Sequence, residues 1–233
     1  MRNERRAVVV GATGLVGGHL LKQLCDNPKY SSVTAVVRRP GALGAWARDA
    51  QASGRLREAV VDFEALSKDS TAAKAFTGDD LYCALGTTIK VAGSKDAFRR
   101  VDHDYVVESA RAARAAGAAK LLLVSSVGAD AKSPFFYNQV KGEVERDVAS
   151  LGFAEVHVFR PSFLAGERIE HRPGEKVALM IGKCLGPIAR LPLVRDIAPV
   201  PAEAVARAMV RAALAAESRP GVSVHASAEL ARS

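Results

Sequence analysis

Residues 7–17 read Ala-Val-Val-Val-Gly-Ala-Thr-Gly-Leu-Val-Gly, and this stretch decides the fold. A short β-branched run leads into a glycine-rich turn, and apolar residues at helical spacing follow as far as Cys25. The pattern G-x-x-G-x-x-G between a strand and a helix is a variant of the dinucleotide-binding fingerprint. Such glycines permit a tight turn and let the backbone approach a pyrophosphate, which the helix N-terminus binds through its free N–H groups. An ordinary strand-to-helix turn is the alternative, but the context favours a cofactor site formed by Gly11, Ala12, Thr13, Gly14, Leu15, Val16 and Gly17.

Strand and helix patterns alternate along the rest of the chain. Apolar runs predict strands at 33–37, 56–61, 81–85, 121–124 and 156–159, and helical spacing predicts helices at 98–116 and 137–151, each ending near a glycine. Such alternation predicts an α/β fold with a doubly wound parallel sheet and helices on both faces. Prolines and glycines cluster over 161–201, before an alanine-rich helix at 202–216 and a strand at 222–225. We therefore expect one domain over 1–233, with a cofactor-binding core at 1–160 and a small C-terminal substrate-lid elaboration at 161–233.

Composition excludes several classes of protein. With 233 residues and 48% hydrophobic content, the chain can bury a core, and wholesale disorder is excluded. No apolar run reaches the roughly 18 residues of a membrane span, and glycines break the apolar stretch that follows the N-terminal arginines, so a signal peptide is disfavoured. The net charge of +8 is spread over helix faces and not gathered in a basic block, so nucleic-acid binding as a primary role is also disfavoured.

The three cysteines lie far apart in the sequence. Cys25, Cys83 and Cys184 are odd in number and have no partner at metal-ligand spacing. A disulfide framework and a structural zinc site are therefore disfavoured, and the cytoplasm is the expected compartment.

The ends of the second and third strands predict which cofactor binds. Arg38 and Arg39 follow the second strand, where a protein specific for NAD usually carries an acidic residue. Two guanidinium groups at this place would bind the 2′-phosphate of NADPH, although a solvated basic loop is the alternative. Asp62 and Phe63 follow the third strand and could flank the adenine, or Asp62 could be an exposed turn residue.

The fourth strand ends in small residues. Ala84, Leu85, Gly86 and Thr87 would let the backbone lie against the ribose and diphosphate of the cofactor. Cys83 could in principle be a nucleophile, but a buried strand thiol is the favoured interpretation because no histidine or carboxylate adjoins it in sequence.

A tyrosine and a lysine share one face of the predicted helix at 137–151. Tyr137 and Lys141 stand at i and i+4. A tyrosine hydroxyl has an ordinary pKa of about 10, and a neighbouring ammonium stabilises the tyrosinate, so the pair could exchange a proton with a carbonyl or alcohol oxygen. Ser125 and Ser126 end the fifth strand, and Ser126 is the favoured donor to that oxygen, with Ser125 as the alternative. Serines that cap a helix would look the same in sequence.

Taken together, these motifs resemble the short-chain dehydrogenase/reductase superfamily, and more narrowly its atypical, HIV Tat-interacting oxidoreductase-like branch. The residues that carry the resemblance are GATGLVG at 11–17, CALGTT at 83–88, FRRVDHDYV at 98–106, LLVSSVGAD at 122–130, FYNQVKGEVE at 136–145 and FRPSFLAGERIEHRPGE at 159–175. The resemblance implies a Rossmann-like fold, NADPH as the cofactor, and an oxidoreductase acting on a small carbonyl or alcohol substrate. The expected assembly is a monomer or a homodimer. An NADPH-binding regulatory protein with little turnover is the alternative.

Further roles follow only from the resemblance. It implies that Lys141 also holds the nicotinamide ribose, that Pro161 and Ser162 lie near the nicotinamide amide, and that 168–175 borders the substrate pocket or forms a salt-bridged loop. Asp102 stands where many superfamily members carry an asparagine that orders a water. A carboxylate can also hold water, but its charge would alter a proton relay.

Overall fold

The computed structural model of the chain describes residues 4–66, 70–165 and 199–231. Its strands are β1 (Arg5–Val10), β2 (Tyr30–Val37), β3 (Leu56–Val60), β4 (Asp80–Cys83), β5 (Lys120–Val124), β6 (Glu155–Arg160), β7 (Leu164–Ala165), β8 (Val200–Pro201) and β9 (Gly221–Ala226). Its α-helices are α1 (Leu15–Asp26), α2 (Arg48–Ala52), α3 (Ser70–Ala73), α4 (Ile89–Ala92), α5 (Lys95–Arg99), α6 (Tyr105–Ala115), α7 (Phe136–Ala149), α8 (Ala202–Ala213) and α9 (Ser227–Leu230).

Seven strands form one parallel sheet in the order β3-β2-β1-β4-β5-β6-β9. The predicted Rossmann-like α/β architecture is confirmed. The strand order reverses direction between β1 and β4, where Val10 pairs with Val36 on one side and Cys83 on the other. Ligands of such sheets bind at the carboxyl ends of the strands beside this switch point.

The sheet is covered on both faces, which explains why its strands read as continuous apolar runs. Successive residues of β1 alternate between two cores: Val9 packs in the core with α1 and α8, and Val8 and Val10 pack in the core with α6 and α7. Phe159 of β6 lies in the first core and Val158 in the second. A buried sheet with two cores holds the strand ends in fixed positions.

The predicted helix at 98–116 is two helices joined by a wide turn. Between α5 and α6, residues Arg100–Asp104 form a π-helical turn, and Asp102 on this turn is buried. Such turns hold an extra residue and are frequent at functional sites. The helix predicted at 137–151 is α7, and Gly117 and Gly152, just beyond α6 and α7, have φ of +99° and +78°.

The described part of the C-terminal segment completes the main sheet. β9 pairs with β6 along its whole length, and α8 packs on α1 in the first core. These residues therefore extend the core. Residues 166–198 of the predicted lid, which include the stretch 168–175 and Cys184, lie outside the described residues. Within the described ranges, no helix has the length and apolar character needed to cross a membrane.

Candidate active site

The phosphate turn has the close approach that its glycines predict. Gly11 has φ of +81°, and a Cβ there would lie 2.4 Å from the carbonyl oxygen of Ala84. A Cβ on Gly17 would lie 2.0 Å from the carbonyl oxygen of Gly11, and the Gly14 N–H donates to that same oxygen at 2.9 Å. The turn is thus packed between β4 and α1, and glycine is the residue that fits.

The N-terminus of α1 is suited to an anion. Gly14 caps the helix in an extended conformation without a side-chain hydrogen bond, and the first turn has no acidic residue. The first N–H groups of a helix lack intrahelical acceptors and carry the positive end of the helix dipole. Val16 is buried and Thr13 exposed. The turn and its free N–H groups therefore fit a dinucleotide pyrophosphate.

Arg38 and Arg39 follow the carboxyl end of β2 and are exposed. Among the described residues neither forms an ion pair, and Arg38 is close enough to Tyr105 to act on its charge. Burial and the carboxylate of Glu64 raise the pKa of Tyr105 to about 12, and Arg38 opposes that rise. The two arginines therefore stand at the strand end with their charge uncompensated, as the 2′-phosphate hypothesis requires.

The two residues predicted to flank the adenine differ in burial. Phe63 is buried, and its ring lies 5.3 Å from the ring of Tyr105. Asp62 is exposed, and its carboxylate accepts a hydrogen bond from the Glu64 N–H at 3.0 Å. Asp62 thus has the geometry of a turn residue, the alternative that the sequence left open, and Phe63 supports the floor of this region from inside the core.

The segment after β4 lies beside the turn. The Ala84 N–H donates to the carbonyl oxygen of Val10 at 2.9 Å, and Gly86 is exposed. Cys83 is fully buried, and burial raises the pKa of its thiol to about 11, so a buried thiol is the role that the structure supports. The backbone from Ala84 to Thr87 is therefore the part of this strand end that could contact a cofactor.

The two serines that end β5 differ in their hydrogen bonds. Ser125 is buried and donates its hydroxyl to Glu145 at 2.5 Å, and Arg160 binds the same carboxylate at 3.0 Å. Ser126 is partly exposed and donates to the carbonyl oxygen of Val127 at 3.1 Å. The hydroxyl of Ser126 is thus the one that could turn to a substrate, whereas that of Ser125 is held by an ion pair.

Helix α7 presents Tyr137 and Lys141 from its first two turns. The ring of Tyr137 lies 5.5 Å from the ring of Phe98, and the side chain of Lys141 is only 8% exposed. Close packing fixes the helix, because a Cβ on Gly142 would lie 2.1 Å from the backbone nitrogen of Ala131. The loop that follows the serines is therefore pressed against the helix that carries the tyrosine and the lysine.

Asp102 and Lys141 form a buried ion pair. The ammonium lies 2.7 Å from Oδ1, and the other oxygen, Oδ2, accepts from the Thr87 N–H at 2.7 Å. Burial alone would lower the pKa of Lys141, but Asp102 and Tyr137 outweigh it and raise that pKa, so the lysine keeps its proton. Asp102 thereby joins α7 to the backbone after β4.

Two features of the site were not predicted from the sequence. The Ser125–Glu145–Arg160 network was missed, because its members lie on three separate elements. The sequence singled out Asp102 but did not predict its pairing with Lys141. The available signal was the charge of Asp102 itself, because its position is in step with Phe98, Val106 and Ala113 on a helix face that is otherwise apolar. The Pro161 carbonyl accepts from the Val127 N–H at 3.0 Å, and the Ser162 N–H donates to the Ser227 hydroxyl at 3.2 Å, so both predicted residues flank the end of β5 and α9.

The sequence is similar to those of known proteins. A family model described as NAD(P)H-binding matches residues 11–158. The rat protein HTATIP2 is 44% identical over 171 residues, which are 73% of this chain and 67% of the relative. The mitochondrial protein fmp52 of Emericella nidulans is 36% identical over 181 residues, 77% of this chain and 76% of the relative.

Solved structures share the fold. MoeE5 in complex with UDP-glucose and NAD has a TM-score of 0.66 at 19% identity, covering 94% of this chain and 74% of that one. The terminal R domain of the myxalamid pathway has a TM-score of 0.68 at 18% identity, covering 95% of this chain and 65% of that one. At these identities the similarity concerns the fold alone.

Proposed function

This chain belongs to the NAD(P)H-binding family of short-chain dehydrogenase/reductase type, and we propose that it is an NADPH-dependent oxidoreductase of carbonyl or alcohol substrates. The observation that carries the proposal is the buried, charged Lys141 one helical turn from Tyr137, at the strand ends beside the phosphate turn. Burying an ammonium and its paired carboxylate beside a tyrosine costs desolvation free energy that apolar side chains would not cost, so a chemical role accounts for the pair.

The roles of the residues follow from their positions. When bound, the nicotinamide supplies or accepts a hydride. Tyr137 gives a proton to the substrate oxygen in reduction and removes one in oxidation. Lys141 stabilises the tyrosinate through its charge and would hold the nicotinamide ribose, and Ser126 donates a hydrogen bond to the substrate oxygen.

The choice of NADPH rests on Arg38 and Arg39. Both are exposed at the end of β2, and a 2′-phosphate offers them charge-assisted hydrogen bonds that a ribose hydroxyl does not. Calorimetric titration should show NADPH binding at least about tenfold more tightly than NADH, about 1.4 kcal/mol. Replacing Arg38 and Arg39 by alanine should remove the difference, whereas Lys29→Ala at the opposite end of β2 should preserve it. Equal affinity of the wild type for both cofactors would refute the NADPH assignment.

The catalytic proposal is tested with Tyr137→Phe and a panel of aldehydes and ketones, by following NADPH oxidation. The variant should bind NADPH as the wild type does and lose turnover, because only the proton-transfer group is missing. Ser126→Ala should lower turnover strongly by removing the hydrogen bond to the substrate oxygen. Undiminished turnover in Tyr137→Phe would disprove the assignment.

Asp102 favours a second candidate, an NADPH-binding regulatory protein with little turnover. Its carboxylate balances the charge of Lys141, which weakens the effect of the ammonium on Tyr137. This candidate requires tight binding of NADPH together with no turnover of any carbonyl compound in the panel. The same two measurements therefore separate the candidates.

We propose the cytoplasm as the compartment, on the basis that Cys25 and Cys83 are buried free thiols. The fungal relative is named as mitochondrial, which makes mitochondria the competing location. Fractionation of cells that express the chain decides between them.

A further inference from the structure

Large apolar side chains are exposed around the candidate site. Among the described residues eight large hydrophobic side chains are exposed, and five of them follow the carboxyl ends of the adjacent strands β4, β5 and β6. These five, which we call the apolar rim, are Ile89, Val91, Val127, Phe135 and Phe163. The carboxyl ends of parallel strands lie at one edge of a sheet, so the rim belongs to the edge that carries the site.

The rim adjoins the proposed catalytic groups along the chain. Val127 directly follows Ser126, Phe135 stands two residues before Tyr137, and Phe163 directly follows Ser162. A substrate whose oxygen is bound by Ser126 and Tyr137 would thus have exposed apolar side chains on the neighbouring residues of both segments.

Two of the rim side chains stand on structured backbone and are exposed. Val91 is 74% exposed, and its backbone is fixed because its N–H donates to the capping hydroxyl of Thr88 at 3.2 Å. Phe135 is 71% exposed and is the N-cap residue of α7, whose next residue, Phe136, is half-buried. Single exposed apolar side chains are ordinary, but several at one functional edge mark a binding surface.

The charged side chains of the same segments do not select a charged ligand. Lys90 and Lys132 are exposed, and so is Asp130, whose carboxylate accepts from the Lys132 N–H at 2.9 Å. Because charges of both signs lie between the apolar side chains, no single charge dominates this edge. Exposed apolar area is the property that the segments after β4, β5 and β6 have in common.

We infer that the substrate is an aldehyde or ketone with an extended apolar body that rests on the apolar rim. This inference rests on the proposed function. In the reduction, the hydride of NADPH forms the new C–H bond at the carbonyl carbon, the C=O π pair becomes the new O–H bond, and Tyr137 supplies the proton; the products are the alcohol and NADP⁺.

The test compares unbranched aldehydes from propanal to decanal at saturating NADPH. Each methylene that the rim buries fully should raise kcat/KM about fourfold, and partial burial should give about twofold. Phe135→Ser and Val91→Ser should each lower the ratio of kcat/KM for decanal to that for propanal at least about threefold. Val224→Ser, which replaces a side chain of β9 that is 49% exposed, should leave the ratio unchanged. Turnover that is independent of chain length, or a ratio unaffected by both rim variants, would overturn the inference.

A second measurement separates this inference from the catalytic proposal. Calorimetry of the NADPH complex with propanol and decanol reports binding without requiring turnover. Where no aldehyde is reduced, the proposed catalysis fails; tight decanol binding that the rim variants weaken would then still show that the rim binds an extended apolar ligand. If decanol binds no better than propanol, the inference is wrong.

Discussion

Breaking the Asp102–Lys141 ion pair should be far more costly than breaking an ion pair on the surface. The side chain of Asp102 is 0% exposed and that of Lys141 8% exposed, so removing either one leaves a buried charge without its partner. Loss of one member of such a pair costs about 3–5 kcal/mol of the free energy of unfolding. Asp102→Ala additionally leaves the Thr87 N–H without its acceptor, which costs about 1–3 kcal/mol when such a group is buried.

A double-mutant cycle isolates the interaction. Asp102→Ala and Lys141→Met are measured singly and together by urea denaturation at neutral pH, with unchanged m-values as the check on two-state unfolding. The double variant has no buried charge left, so it should lose at least about 2 kcal/mol less than the sum of the single losses.

The matched control is the Glu203–Arg207 pair of α8, whose side chains are 57% and 51% exposed at a separation of 2.8 Å. Its cycle should give about 0.3–0.5 kcal/mol, as exposed pairs four residues apart on a helix do. Single losses below about 1 kcal/mol at Asp102 and Lys141, or additivity within about 0.5 kcal/mol, would refute the reasoning.

Three other predictions follow from the contacts described. Gly142→Ala should cost at least about 2 kcal/mol in urea denaturation, although alanine favours helices, because its Cβ would lie 2.1 Å from the nitrogen of Ala131; stability equal to wild type would contradict the packing of α7. Burial alone would raise the pKa of Glu155, but hydrogen bonds from Ser218, Lys120 and His157 lower it to about 2. Its stabilisation is therefore present above the ordinary pKa of 4.5 and is lost as the pH falls toward 2, so the free energy of unfolding should fall by about 3 kcal/mol more in the wild type than in Glu155→Gln; parallel curves would count against this. Burial raises the pKa of both Cys25 and Cys83 to about 11, so mass spectrometry after brief iodoacetamide treatment at neutral pH should find both unmodified in the native chain and modified in urea.

The fold could be predicted from local sequence patterns because each strand of the sheet is buried on both faces and therefore reads as a short apolar run. The β-branched run before Gly11 and the later apolar runs are typical of strands in a covered parallel sheet, and the predicted strands correspond to β1 to β6 and β9. The turn between α5 and α6 could not be predicted, because no glycine or proline marks it. The inward residue of this turn, Asp102, is stabilised by its ion pair with Lys141, which lies 39 residues further along the chain and cannot be read from the local sequence.

The candidate site was predictable in its backbone and less so in its side chains. Gly11 and Gly17 had to be glycines for reasons of space that the motif itself expresses. The difference between Ser125 and Ser126 depends on Glu145 and Arg160, which the sequence places on other elements. Strand alternation ends at Val124, so it does not determine which of the next two hydroxyls faces inward.

Because Asp102 lies on the wide turn at Arg100–Asp104, its contact with Lys141 depends on the number of residues in the turn as well as on the residue type. A π turn accommodates one residue more than an α turn, so deleting one residue there would let α5 and α6 merge into a straight helix. Because the turn itself absorbs the extra residue, α5 and α6 would keep their phase and their packing after such a deletion, and only the inward position of the turn would be lost. Removal of the single codon for Asp102 would therefore abolish the link between the strand end and α7 without displacing either helix, which a regular α-helix would not permit.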